Sequence, residues 1–219
     1  MPYSFRDFSA RSGTVGLGFL ALLTAVSMLS ACGKAGDGDG GATTRNGIAF
    51  PADADIATAL QANFAQDPNS AKARELVKLL GGDKGQLDYK VHEVIYRQGA
   101  FETRYDVSLR MGQGGAESLQ KLYATMIPKE EAAKLPEQTL AAYEKSLGDS
   151  AAALEKTNPQ QAAALRATLD NLGKCYREAK ANDSVAIMNG LNALISPARS
   201  GWYADKLQSP QVELRCLPL

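Results

Sequence analysis

Ser118 and Lys121 stand three residues apart in "SLQK", a spacing at which a lysine one helical turn away can take the proton of a serine nucleophile. The two further motifs that accompany this pair in penicillin-binding chemistry are missing from the chain, so the spacing alone assigns no activity. A second set is His92, Asp106 and Ser108, whose positions in two neighbouring strand patterns put the histidine opposite the aspartate and the serine diagonal to it. A hydrolytic triad needs a buried carboxylate, a fixed imidazole tautomer and an oxyanion hole, none of which an open sheet face supplies. His92 therefore reads as a cross-strand partner of Asp106. It is the one histidine of the chain, and "HEVIY" puts Tyr96 where a second zinc ligand would stand, so no metal is expected. In "DGDGGA", Asp37 and Asp39 have calcium-loop spacing, but Gly41, Ala42 and Ile48 occupy the places of the third ligand, the turn glycine and the bidentate glutamate. Neither a nucleophile elbow nor a phosphate-cradling glycine motif occurs. No cofactor is expected, and the reading leans away from an enzyme. Trp202 and Tyr203 remain as candidates for partner binding, because loop aromatics give large contact area at small entropic cost. The competing and favoured reading folds Trp202 back onto the core.

These residues are positioned by a chain that changes period several times. Ile56, Leu60 and Phe64 recur at helical spacing up to "DPNS", and Leu76, Val77 and Leu80 follow on a second helix that stops at Gly81-Gly82. From Leu87 to Met111 the period becomes two, and Phe101, Thr103, Tyr105, Val107 and Leu109 alternate with charged or polar residues. Matching apolar faces across this hairpin calls for a three-residue loop, Gln98 to Ala100, with Val91 facing Val107, Tyr89 facing Leu109, His92 facing Asp106 and Asp88 facing Arg110. Helices follow around Leu119 to Ile127, from Pro136 to Gly148, from Asn158-Pro159 through Tyr176, and around Val185, Met188, Leu191 and Ile195. Ser196 to Ser209 reads as a long loop, and Val212, Leu214 and Cys216 as a short final strand joining the hairpin edge. The expected fold is α+β, a mostly helical single domain with a small antiparallel sheet made of the β-hairpin and the C-terminal strand.

Charge narrows the partners. Lysine plus arginine and aspartate plus glutamate each number 24 in 219 residues, so no net field draws the chain to nucleic acid. At the start, Arg6, Asp7 and Arg11 precede an apolar run from Val15 to Met28, which ends in "LSAC", Leu29 to Cys32. The run is shorter than the ~20 residues a spanning helix needs, and Gly16, Gly18, Thr24 and Ser27 weaken it further. That order reads as an export signal.

"LSAC" resembles the lipobox of bacterial lipoproteins, with Leu29 three residues before the cut, small Ser30 and Ala31, and the family's cysteine at Cys32. The resemblance covers the first 32 residues. It implies that residues 1–31 are removed, that Cys32 carries the lipid and anchors the protein to a membrane, and that residues 32–47 tether a globular domain over 48–219. Gly33 follows the cysteine in place of the aspartate associated with inner-membrane retention, which implies the outer membrane with the domain facing the periplasm. Removing 31 residues from 219 leaves 188, with two cysteines besides Cys32, and in an oxidising compartment Cys175 and Cys216 are expected to pair.

The function these observations favour is a non-catalytic, membrane-anchored lipoprotein that binds another protein or an envelope component. Its most specific form is an inhibitor or immunity-type protein. The alternatives are an accessory of an envelope-assembly or secretion complex, and a cell-wall hydrolase.

Overall fold

The computed structural model describes residues 44–218. Cys32, the signal segment and the Asp37-Asp39 pair lie outside them. Regular structure begins inside the stretch read as tether. Strands β1 (Thr44–Arg45) and β2 (Ile48–Ala49) pair across Asn46-Gly47, both at positive φ, as a tight two-residue hairpin turn requires.

Two helices follow. Helix α1 (Asp53–Gln66) places Asp53 and Asp55 in its first turn, where the helix dipole favours negative charge, and buries Ile56, Ala59 and Leu60. A 3-10 turn, Pro68–Ser70, leads into α2 (Ala71–Gly81), which buries Leu80. Asp67 fixes this corner. Its carboxylate accepts from the Asn69 N–H at 2.9 Å, from Ser70 Oγ at 2.9 Å and from the ammonium of Lys206, a residue far along the chain. Arg74 closes the end of α1 by donating to the carbonyls of Phe64 and Asp67 at 2.7 and 2.8 Å.

Those bonds, Lys206 foremost, hold the Asp67 carboxyl down at about 2. A carboxyl depressed in the folded state stabilises above its unfolded value of 3.8 and loses that contribution as pH falls towards 2. Melting temperature measured from pH 5 to pH 2 is therefore expected to fall more steeply in the wild type than in Asp67→Asn, which starts lower and has no carboxyl there to titrate.

Strands β3 (Gln86–Arg97) and β4 (Ala100–Arg110) form the hairpin, joined by two residues, Gln98 and Gly99, both at positive φ. The expected three-residue loop is corrected, and so is the register. Arg97 pairs with Ala100, Tyr96 with Phe101 and Val91 with Tyr105. An uninterrupted two-residue hairpin would turn Val91 against Asp106. An irregularity between Val91 and Glu93 inserts His92 as an extra residue, so Tyr89 meets Val107 and Leu87 meets Leu109, apolar against apolar. The bulge does what the longer loop was expected to do.

Three further helices make a second layer: α3 (Gly115–Met126), α5 (Leu140–Glu155) and α6 (Pro159–Tyr176), with a single turn, α4 (Lys129–Ala132), between the first two. Helix α5 starts at a Thr139 cap rather than at Pro136 and runs through Gly148, whose missing side chain faces open space. Helix α3 approaches the end of α6 so closely that a Cβ on Gly115 would lie 1.8 Å from the Tyr176 carbonyl oxygen. Only glycine fits there.

The segment expected to be the last helix is a strand. Strand β5 (Ser184–Ala198) pairs antiparallel with β4 along its length, and β6 (Gly201–Lys206) returns on its other side through Arg199-Ser200. The stretch Ser196 to Ser209 is thus mostly sheet rather than loop. Strand β7 (Glu213–Leu214) pairs with Met188 and Asn189 of β5, not with the hairpin edge. The sheet order is β3-β4-β5-β6, with β7 beside β5, and six helices and this antiparallel sheet form one α+β domain.

The core fills one face of the sheet. Phe101, Val107, Leu109, Ala193 and Ile195 are buried there with Ile56, Leu80, Leu119, Leu172 and Tyr176 from the helices. Cys175 and Cys216 are bonded, with Cα atoms 5.7 Å apart, and the bond fastens the end of the chain to α6. Tyr176 donates to the Cys216 carbonyl at 2.8 Å and Asn171 to that of Arg215 at 3.0 Å, so three links hold this tail.

Candidate functional site

Helices cover one face of the sheet and leave the other open. Along β4 the residues pointing away from the core are Glu102, Arg104, Asp106, Ser108 and Arg110, none of them buried. His92 and Asp106 meet on this face, with Nε2 to Oδ2 at 2.7 Å. They are not directly opposite. Lys90 pairs with Asp106, and His92 reaches it from the bulge. The other carboxylate oxygen, Oδ1, accepts from the Gly190 N–H at 2.9 Å.

Gly190 belongs to an irregularity where Asn189 and Gly190 together oppose the single residue Asp106. Its φ is +75°, and a Cβ would approach the Gln211 carbonyl oxygen to 2.7 Å. Burial pushes the Asp106 carboxyl up, but the Gly190 N–H and His92 outweigh it and hold the group below its ordinary value. One carboxylate thus clamps bulges on both neighbouring strands. Ser108 sits between Asp88 and Ala186, one residue pair further along.

Asp88 binds Arg110 through two bonds of 2.8 and 2.9 Å, although their backbones are not in register, and Arg97 binds Glu102 at 3.1 Å. Arg104 has no ion-pair partner among the described residues and borders a shallow depression with His92, Asp106, Asn189, Gln211 and Glu213. Towards the hairpin tip, one row across the sheet reads Ile95, Glu102, Leu194, Asp205. Tyr203, opposite Ser196, is 51% exposed. The open face therefore offers a tyrosine and two aliphatic side chains among charges of both signs.

Trp202 lies on the opposite side of the same strand. Its ring meets Phe101 edge to face at 5.5 Å, in a cluster completed by Phe50 and Tyr96 on Phe101. It pins β6 to the core, and Tyr203 alone of the two faces solvent. Ser118 is fully buried, donates to the Leu80 carbonyl and accepts from Gln113 at 3.0 Å, while Lys121 reaches Gln113 and Glu117 at 2.8 and 2.7 Å. This serine locks α3 against the end of α2. Among the described residues no group of three or more metal-ligating side chains converges, and no helix is long and apolar enough to cross a membrane.

The arrangement defines an α+β domain with a helix-backed sheet whose polar face is bare. No family model, no curated protein and no solved structure matches this chain.

Proposed function

We propose that this is a lipoprotein anchored by acylated Cys32 to the outer membrane of a bacterial envelope, and that its domain binds another protein through the open face of the sheet. The observation that carries the binding reading is the composition of that face. Tyr203, Leu194 and Ile95 supply apolar contact, and Arg104, Lys90, Glu93 and Asp205 supply charges of both signs, with Glu93 opposite Arg104 and Lys90 opposite Asp106 in the register. Mixed charge suits a protein surface, where complementary charges set orientation and apolar groups near them supply affinity. Nucleic acid or anionic lipid would call for one sign. The tether before Thr44 lets the domain search the space near the membrane. An inhibitor or immunity-type role, neutralising an enzyme that acts in the periplasm, is the most specific form of this reading.

The test is affinity capture from gently solubilised native envelopes, with wild type beside the double variant Arg104→Glu, Tyr203→Ala. Both residues are exposed, so melting temperature should hold while recovery of one partner drops on the order of tenfold or more. Recovery equal to wild type would overturn the assignment of the face. A lytic enzyme as partner supports the inhibitor form, and a membrane complex would replace it with the assembly role.

A further inference from the structure

On the covered side of the sheet, α1 touches both edge strands, β3 and β6. A straight helix laid across a twisted sheet cannot follow its middle strands, and here a cavity of about 320 Å³ remains between them. Leu60 and Phe64 of α1 line one wall, and Leu87, Val107, Met188 and Leu191 line the sheet side. The volume is that of roughly ten water molecules, at ~30 Å³ each. Apolar walls give water few partners, and cavities of this kind take up apolar ligands instead.

Asn63, Ser70, Tyr105 and Asn192 also line this space, and two further polar groups on it, those of Tyr89 and Lys206, keep a hydrogen to donate. Tyr89 lines it, and the Tyr89 hydroxyl is one of two buried side-chain polar atoms, with Thr103 Oγ1, that have no hydrogen-bond partner among the described residues. Burial raises the ionisation of Tyr89 above the ordinary phenol range, so its hydroxyl stays a neutral donor. Lys206 also lines the space. Its ammonium binds Asp67 and Ser70 Oγ, the latter at 2.9 Å, which leaves a third N–H uncommitted. Buried polar groups are rarely left unpaired, and the Tyr89 hydroxyl has no partner here, while the Lys206 ammonium, on a side chain more than half exposed, sets a positive charge beside the same chamber.

We propose that the cavity beneath α1 binds a single medium-length acyl chain, with its carboxylate accepting from the Tyr89 hydroxyl and the Lys206 ammonium. The site is on the opposite side of the sheet from the protein-binding face and does not depend on that reading. Its test uses the full-length protein in washed envelope vesicles, exposed to decanoic acid bearing a terminal photoreactive diazirine and mapped by mass spectrometry of peptides. Adducts are expected on the segments around Leu60 to Ala73 and Met188 to Leu191, displaced by excess decanoate. Leu191→Trp fills the chamber and should lower labelling at least tenfold. Tyr89→Phe keeps the ring and the packing, so it remains informative if the tryptophan variant fails to fold, and it should lower labelling several-fold. The matching photoreactive decanol should label several-fold less than the acid. Labelling spread evenly over the surface, or unchanged in Tyr89→Phe, would overturn the site, and equal labelling by the alcohol would overturn the carboxylate's place in it. Arg104→Glu, Tyr203→Ala should label as wild type does, which separates this result from the fate of the docking face.

Discussion

Replacing Cys32 with serine is expected to abolish incorporation of a clickable palmitate analogue and to leave a precursor that still carries its first 31 residues. The lipobox reading makes the cysteine thiol the only acceptor of the lipid-bearing alkyl group whose attachment precedes cleavage, and a hydroxyl at that position forms no thioether. On that reading the effect is all or none, because cleavage of the peptide bond before residue 32 follows only after its one sulfur atom has been modified. A single acyl chain holds a protein only marginally, whereas the several chains that bacterial lipoproteins carry hold them stably. Cells labelled with the analogue and resolved by gel give both answers, since the acylated band and the shorter band should vanish together. A labelled Cys32→Ser protein, or a wild type that is never shortened, would contradict the anchor.

The second large effect concerns the other two cysteines. Cys175 and Cys216 are 41 positions apart and close a 42-residue loop, for which the chain-entropy model gives about 4 kcal/mol of stabilisation through the unfolded state. The paired variant Cys175→Ser, Cys216→Ser is therefore expected to melt roughly 10 °C lower than wild type, with full-length protein compared in the same mild detergent. Reductant should lower the wild type towards the variant and leave the variant unchanged. The Tyr176 and Asn171 bonds to the tail remain in the variant, so near-native secondary structure should persist below the transition. A drop of less than about 1 kcal/mol would mean that those two bonds and the β7 pairing already fix the tail.

The sequence pattern locates the hairpin, the helices α1, α2, α3 and α6, and the cysteine pair, because each carries a strong local signal. Asp67-Pro68 closes a helix, Asn158-Pro159 opens one, and strict alternation marks β4. Strand β5 was hidden by its own irregularities. Val185, Met188 and Leu191 are three apart, a helical spacing, because β5 carries extra residues at Ile187 and at Asn189-Gly190 relative to β4. Each insertion stretches a two-residue period to three. Bulges are set by tertiary pairing, here through the Asp106 carboxylate on the Gly190 N–H, and leave no mark within β5 except the glycine. A helix over Val185 to Ile195 leaves β6 without a strand to pair with, so Ser196 to Ser209 reads as a loop from the sequence. Trp202 and Tyr203 read alike from the sequence, but only the strand shows that successive residues must point to opposite faces. The His92 to Asp106 contact is made with a different register from the one expected, because the bulge places His92 diagonally within reach of the carboxylate. Arg104 carries no signal in the sequence, and only the register sets it between Glu93 and Asn192 on the open face.

If a protein partner sits on the open sheet face while the domain is held at the membrane, side chains on that face lie within cross-linking reach of it. The most direct measurement is photo-cross-linking in intact cells, with a photoreactive amino acid placed at position 104, at position 203, or at position 160 on the exposed start of α6. One adduct of the same mass is expected from 104 and 203 and none from 160. No adduct from either face position, or equal adducts from all three, would contradict it.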